Sequence, residues 1–334
     1  MVLGGTGYVG RHVCEAFAGL GHDVLAVGRD PTKAAPGVPF AALGQPEELY
    51  DLLPAAGPQV VVNAAGGVWE VSDEEMVGAN VSLVEHLLAA TGRLGDRPRL
   101  VHLGSAHEYG ATPHGAGTSE SVPTRPLTAY GRAKLRATRL VCDAFDSGQL
   151  DGTVLRLSNV LGPTAPRTSL LGAVVARLRE AEESGRPAVL TLNAPRAYRD
   201  FVDARDVTAA VVAAAAGPAR PASRPAPRVV NVGGGDPVPV RLVMERLIDI
   251  SGAPAEIVEQ APAELTRDNG DWQQLDISTA RDTLGWVPRR TLAQSLVWAW
   301  EAGRPRPLPA HRARAGFERE SSPLRHSPQD EEGH

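Results

Sequence analysis

Cysteine is nearly absent from this 334-residue chain: Cys14 and Cys142 stand far apart, outside any CxxC or zinc-ligand spacing. That excludes a disulfide framework as an organising feature, and reduced core thiols in a cytoplasmic protein are the simplest reading. The nine histidines are scattered, none at a helical or strand spacing from another ligand that suits zinc, so no metal site is expected. Long apolar runs are missing as well. None approaches the roughly 20 residues that span a bilayer, and the apolar start carries no basic n-region or cleavage site, so neither a membrane span nor a leader is expected. Nor is there an excess of one charge. The 34 basic and 39 acidic residues are spread along the chain for a formal −5, which leaves no basic face for a nucleic acid. No internal repeat is present, and a cytosolic globular protein remains.

A hydrophobic content of 43% can fill one large or two small domains. In "RHVCEAFAGLGHDVLAVGRD" apolar residues recur at helical spacing from Val13 to Leu20, Gly21 breaks the pattern, and Val24 to Val27 reads as a strand. "PQVVVNAAG" and "PRLVHLGS" are further buried-strand patterns with the amphipathic "NVSLVEHLLAATG" between them, and a helix from about Thr128 to Phe145 precedes the strand "GTVLRLSNV". Such alternation predicts an α/β fold with a doubly wound parallel sheet. After Gly162 come proline-punctuated loops, a helix around Ala173 to Glu183, and a Pro/Ala/Arg stretch from Gly217 to Arg228 that reads as a surface excursion. "VVNVGGG" resumes a strand and "VPVRLVMERLIDIS" a helix. The expected division is 1–162 for the main sheet and 163–302 for a smaller lobe that returns some segments to it. Residues 303–334, poor in apolar residues, are expected to be a disordered tail.

Four glycines fall in the first ten residues, "MVLGGTGYVG". Gly4, Gly7 and Gly10 are spaced GxxGxxG, and Gly5, Gly7 and Gly10 also fit GxGxxG. A helix beginning inside such a loop turns its N–H groups and dipole toward a pyrophosphate, and glycine removes the side chains that would block it. The position between a strand and a helix is what gives the pattern weight. Only Met1 to Leu3 precede Gly4, so either the true start lies upstream or the first strand is short. The second strand ends "AVGRD", where a carboxylate would take the ribose hydroxyls of NAD. Gly28 stands there instead and Arg29 follows, offering a charge-assisted fork to a 2′-phosphate, which favours NADP(H) and leaves NAD(H) possible. The alternative is a solvated Arg29 with Asp30 on the ribose.

"TAYGRAK" places Tyr130 and Lys134 four apart at a helix start, on one face. A nearby ammonium is expected to lower the phenol's pKa toward neutrality and ready it for proton transfer at a carbonyl or alcohol. Ser105, ending the strand "RLVHLGS", adds a hydroxyl at the sheet edge where ligands bind in such folds.

With these motifs in order, the chain resembles the extended short-chain dehydrogenase/reductases of the NAD-dependent epimerase/dehydratase family, over about residues 1 to 300. "GGTGYVG" is similar to the cofactor loop, including Tyr8 and Val9. "NAAG" and the helix starting at Asn80 are similar to the next cofactor contacts, here Ala64, Ala65, Gly66 and Asn80. "GSAHEYG" and "YGRAK" are similar to the catalytic segments. "LRLSNVLGP" resembles the strand beside the nicotinamide, with Leu157 and Ser158 near the cofactor and Asn159 near the substrate. "RDFVDARDV" and "LDISTARDTLGWVP" resemble the substrate-lobe signatures.

The resemblance implies a Rossmann-type sheet with a C-terminal substrate-binding lobe, Ser105 and Tyr130 on the reacting oxygen, and Lys134 on the ribose. It places Arg199, with Arg267 as a second contact, on a substrate diphosphate. It also implies a homodimer through the helices carrying Asn80 and Tyr130. Leu43 and Gly44 stand where the family commonly has an adenine-contacting aspartate. Ala106 and His107 replace the Asp-Glu pair of sugar 4,6-dehydratases, which argues against dehydration. "GSAHEYG" is closest in style to reductases of 4-keto-6-deoxy nucleotide sugars. The expected activity is therefore NADPH-dependent reduction of a dTDP- or GDP-linked 4-keto-6-deoxyhexose, in deoxysugar biosynthesis. A nucleotide-sugar epimerase with bound NAD, a reductase of a non-sugar carbonyl, and a non-catalytic NADP-binding sensor are the alternatives. His107 is either a substrate-facing acid/base or a packing residue.

Overall fold

Val2 and Leu3, both buried, form β1 (Val2–Leu3), which pairs in parallel on both sides, Val2 beside Ala26 and Val62 and Leu3 beside Val27 and Asn63. The short strand expected from the sequence is thus an interior one, fifth of the seven in its sheet. The structure, a computed structural model, describes residues 1–66, 76–192, 195–217, 227–260 and 271–302. Arg267, the 303–334 segment and most of the Pro/Ala/Arg stretch lie outside these residues.

From β1 the chain runs through α1 (Tyr8–Gly19), β2 (Ala26–Gly28), β3 (Phe40–Ala42) and α2 (Leu49–Ala56). It continues through β4 (Val60–Asn63), α3 (Leu83–Thr91), β5 (Arg99–Ser105), α4 (Ala129–Asp146) and β6 (Gly152–Leu157). With β10 (Val229–Val232) these strands make one parallel sheet in the order β10-β6-β5-β4-β1-β2-β3. The winding reverses between β1 and β4. In a doubly wound sheet that reversal opens a crevice at the carboxyl ends of the strands, where ligands bind.

Strand alternation sends successive residues to opposite faces. Val2, Val62, Val101 and Leu155 join the core shared with α1 and α6 (Ala204–Ala216), through Val13 and Val211. Leu3, Val61, Leu100 and Val154 face α2, α3 and α4, meeting Leu53, Leu87 and Val141. A separate cluster joins α5 (Leu170–Ser184), β8 (Ala188–Leu192), α7 (Val240–Ser251) and α9 (Leu292–Glu301), through Leu178, Leu190, Val243 and Trp300. Among the described residues no helix is long and apolar enough to cross a membrane.

Two sequence expectations change in detail. "GTVLRLSNV" is two strands, because Ser158 ends the main ladder on the Val232 carbonyl at 3.0 Å and the chain passes into β7 (Asn159–Leu161). There it joins a three-stranded sheet with β9 (Tyr198–Asp203) and β11 (Pro237–Pro239). Asn80 does not open an α-helix. It sits in a π-helical turn, Gly78–Ser82, ahead of α3, a local widening frequent at functional sites.

Candidate active site

The loop after β1 folds on itself so tightly that side chains have no place. Gly4 has φ +73°, and a Cβ on it would lie 2.7 Å from the Ala65 nitrogen. At Gly10 a Cβ would run into the Gly4 carbonyl oxygen, and at Gly5 it would lie 2.9 Å from the Ala26 Cβ. Gly7 caps α1 and donates to Gly4 O at 2.8 Å, while a Cβ there would meet only that same oxygen, at 3.1 Å. The loop is therefore closed behind and bare in front, at a helix N-terminus, which fits a dinucleotide pyrophosphate. The side chains of Tyr8 and Val9 turn away from it, Tyr8 donating to Val160 O at 3.4 Å and Val9 packing into the core. What these two can offer a phosphate is backbone.

Across the crevice, Asn63 Oδ1 accepts from Ala65 N at 3.1 Å and its amide meets His102 Nδ1 at 3.1 Å, which fixes the turn Ala64–Ala65–Gly66. A Cβ on Gly66 would lie 2.6 Å from Asn80 Oδ1 and 3.9 Å from Lys134 Nζ. Three distant segments thus meet at one point of the crevice. Asn80 is itself pinned, its amide donating to Met76 O at 2.8 Å.

Arg29 is exposed at the end of β2. Asp30, its rival for the ribose, is engaged elsewhere: its carboxylate accepts from Thr32 N at 3.0 Å and Thr32 Oγ1 at 2.6 Å and pairs with Lys33 at 3.4 Å. The Thr32 bonds hold its pKa below the usual carboxylate range. Gly28 has no room for a side chain, because the Thr6 hydroxyl fills its Cβ position. At the place of the missing adenine contact, Gly44 N donates to Glu48 at 2.9 Å.

Thr128 caps α4, accepting from Gly131 N at 3.0 Å, and the first turn of this helix abuts the turn 106–108 so closely that a Cβ on Gly131 would lie 2.5 Å from His107 O. This contact brings Tyr130 beside Ser105, whose hydroxyl acts to lower the phenol's pKa. Ser105 Oγ also accepts from His107 N at 3.2 Å, and the His107 ring meets Tyr130 edge-on at 5.6 Å.

Here the expected acidity of Tyr130 is corrected. Burial pushes its pKa up to about 12, against the lowering effect of Ser105, with Glu108 adding to the rise. Lys134 does not offset this. Its ammonium donates to Leu103 O on the buried side of β5, and burial lowers its own pKa to about 8.

The sequence reading missed Glu108, which is wholly buried. Its Oε1 accepts from Ser105 N at 2.8 Å and Thr138 Oγ1 at 3.0 Å, and its Oε2 from Arg156 Nε at 2.7 Å. The Arg156 guanidinium lies 4.7 Å above the Tyr109 ring, whose hydroxyl donates to Asn231 Oδ1 at 2.7 Å. One local signal existed, since Ser105 with Glu108 three residues on is a capping-box pattern. Another was an arginine inside an otherwise buried strand, Arg156.

On the far side, Asn159 Nδ2 donates to Asp200 O at 2.8 Å and Gln273 Oε1 at 2.5 Å. Arg199 is buried, with Nη1 on Tyr198 O at 2.9 Å. Asp200 accepts from Gly234 N at 2.6 Å, Gly235 N at 3.2 Å and Leu275 N at 2.9 Å. Burial still raises its pKa. The Ser158 hydroxyl is buried without a hydrogen-bond partner among the described residues, while Leu157, paired with Ser105 across β5 and β6, is buried in the crevice wall.

This is the crevice and side-chain set of a nucleotide-dependent oxidoreductase built on a Rossmann-type sheet. The chain matches the NAD dependent epimerase/dehydratase family over residues 1–233, and it belongs to that family as an NAD(P)-dependent enzyme of the extended short-chain dehydrogenase/reductase type. It is 44% identical over 312 residues to a dTDP-6-deoxy-L-talose 4-dehydrogenase (NAD(P)(+)) of Kitasatospora kifunensis, covering 92% of this chain and 96% of that protein. It is 28% identical over 308 residues to a GDP-6-deoxy-D-mannose reductase of Pseudomonas aeruginosa, covering 88% and 93%. In fold it is similar to the crystal structure of UDP-glucose 4-epimerase from Thermotoga maritima, with a TM-score of 0.76, 22% identity, and coverage of 90% and 96%.

Proposed function

We propose that the protein interconverts the 4-keto and 4-hydroxy forms of a dTDP-linked 6-deoxyhexose, acting in deoxysugar synthesis as an NADPH-dependent 4-ketoreductase. The observation that carries the reading is the Ser105–Tyr130 hydroxyl pair at the mouth of β5, one helical turn from Lys134 and beside the glycine cradle. The similarity to an enzyme named for oxidation of dTDP-6-deoxy-L-talose at C4 supports the substrate class, since a dehydrogenase and a ketoreductase are one reaction read in two directions. Ala106 and His107, in place of two acids, leave no pair for dehydration.

In this reading Gly4, Gly7 and Gly10, with the backbone of Tyr8 and Val9, hold the pyrophosphate. Arg29 takes the 2′-phosphate, while Ala64 to Gly66 and Asn80 line the ribose path and Leu157 and Ser158 back the nicotinamide. Bound NADPH supplies the hydride for the keto carbon. Ser105 and Tyr130 hold the keto oxygen and Tyr130 gives it a proton. A phenol near 12 is suited to that task, because it keeps its proton until the oxygen gathers negative charge. Lys134, between Leu103 and Gly66, orients the ribose and returns a proton to Tyr130. Asn159 and His107 border the sugar, and Arg199, joined by Arg267, takes the diphosphate in bidentate fashion. The substrate lobe of residues 163–302 and a homodimer through α3 and α4 belong to the same reading.

The test follows absorbance at 340 nm with dTDP-6-deoxy-L-talose and NADP⁺ or NAD⁺, and with its 4-keto form and NADPH. Turnover faster with NADP(H), falling about 10²- to 10⁴-fold in Tyr130→Phe while the cofactor still binds, is expected. No turnover in either direction would overturn the substrate assignment.

A further inference from the structure

We propose that Glu108 is the positioning residue of this site: its buried carboxylate straps the Ser105 backbone to Thr138 on α4 and to Arg156 on β6, and so sets the spacing between the serine hydroxyl and the Tyr130 phenol. One oxygen, Oε1, holds both Ser105 N at 2.8 Å and Thr138 Oγ1 at 3.0 Å. Tyr130, Lys134 and Thr138 follow one another at four-residue steps on one face of α4. The helix therefore cannot slide along β5 or rotate without breaking a bond to a wholly buried carboxylate. Gly104 leaves the space for that carboxylate, since a Cβ there would lie 2.7 Å from Oε1. The other oxygen ties in Arg156 at 2.7 Å, the residue before Leu157 and Ser158. One side chain thus joins the three elements that carry the serine, the tyrosine with the lysine, and the inner wall of the crevice.

Stability alone is a poor account of this arrangement. Buried ion pairs are frequently replaceable by apolar residues of like volume without loss of stability. Apolar side chains, however, could not accept from Ser105 N and Thr138 Oγ1. The ionisable groups around Glu108 are Arg156 on β6 with Tyr109 stacked against it, and Tyr130, Lys134 and Cys142 on α4. The carboxylate favours the protonated phenol and the charged ammonium, so its removal moves both titrations to lower pH.

The test compares wild type, Thr138→Val and Glu108→Gln as full chains. The kinetic arm rests on the proposed 4-dehydrogenase reading and measures kcat, KM and their pH dependence with dTDP-6-deoxy-L-talose. The second arm, amide hydrogen exchange at Ser105 and around Tyr130, needs no substrate. Thr138→Val is expected to lower kcat about tenfold, as small misplacements of catalytic groups do, with KM within about twofold, and to speed exchange around Tyr130. Glu108→Gln is expected to speed exchange at Ser105 and move the Tyr130 limb of kcat to lower pH. Wild-type kcat, pH limb and exchange in both variants, with only the melting temperature lowered, would overturn the proposal and leave a structural ion pair. Should Glu108→Gln not fold, Thr138→Val decides, because it keeps the bonds to Ser105 and Arg156. A wild type inert toward the sugar sinks the substrate reading, and exchange still decides the role of Glu108.

Discussion

The two walls of the crevice are built by opposite means. Between β1 and β4, backbone meets backbone: Gly4 against Ala65 and Gly10 against the Gly4 carbonyl. Across β5, α4 and β6, buried side chains meet in a chain of paired polar groups, from Thr138 and Ser105 through Glu108, Arg156 and Tyr109 to Asn231. The first wall has no room for an added atom, and the second has none to spare.

Gly10→Ala should have the largest effect of the variants that probe this contrast. The added methyl meets a backbone oxygen that cannot retreat without disturbing Gly4 at φ +73° and its contact with Ala65. Overpacking of this kind costs about 1–3 kcal/mol of stability, and the same displacement distorts the pyrophosphate cradle. A lowered melting temperature together with loss of NADPH binding, by fluorescence titration at up to about 100 times the wild-type Kd, is expected. Wild-type affinity in this variant would show that the cradle does not hold the cofactor.

That contrast also explains what could be read in advance. Gly4 and Gly10 are legible because glycine alone fits each place, and with Gly7 they fall within seven residues of chain. Tyr130 and Lys134 are legible for the same local reason, their spacing on a helix face. The partners of Glu108 lie 48 and 30 residues away, at Arg156 and Thr138, and no local pattern joins them. The direction of the Tyr130 shift is hidden for a similar reason: the sequence shows a lysine four residues on, but not the burial that raises the phenol. The hydrogen bonds of Asp30 to Thr32 show only in the fold, and the turn of chain direction at Ser158 depends on Val232, far along the sequence.

Tyr109→Phe probes the second wall at moderate cost. It removes the hydroxyl that donates to Asn231 Oδ1 at 2.7 Å and leaves a buried acceptor unsatisfied, which costs about 1–3 kcal/mol. The ring remains beneath Arg156, so the Glu108 strap is preserved. Chemical denaturation should show the loss, while NADPH affinity stays at the wild-type value. A fall in affinity equal to that of Gly10→Ala would mean that the two walls are not separate devices.

Arg29→Ala is the mildest change, because it removes an exposed side chain from the rim of the first wall and disturbs no packing. Stability should stay within about 0.5 kcal/mol of wild type. The proposed contact is a charge-assisted fork on a 2′-phosphate, and NAD⁺ has no phosphate there. The variant should therefore lose about tenfold in kcat/KM for NADP⁺, about 1.4 kcal/mol, and almost nothing for NAD⁺. Wild-type dependence on NADP⁺ should also weaken as salt rises, since an exposed guanidinium is screened, and the variant should be less sensitive to salt. Equal losses with both cofactors would assign Arg29 to the loop rather than to the phosphate. The bare wall would then bind the dinucleotide without Arg29, and the discrimination between the two cofactors would have to come from other groups near the β2 rim, such as the Thr6 hydroxyl beside Gly28.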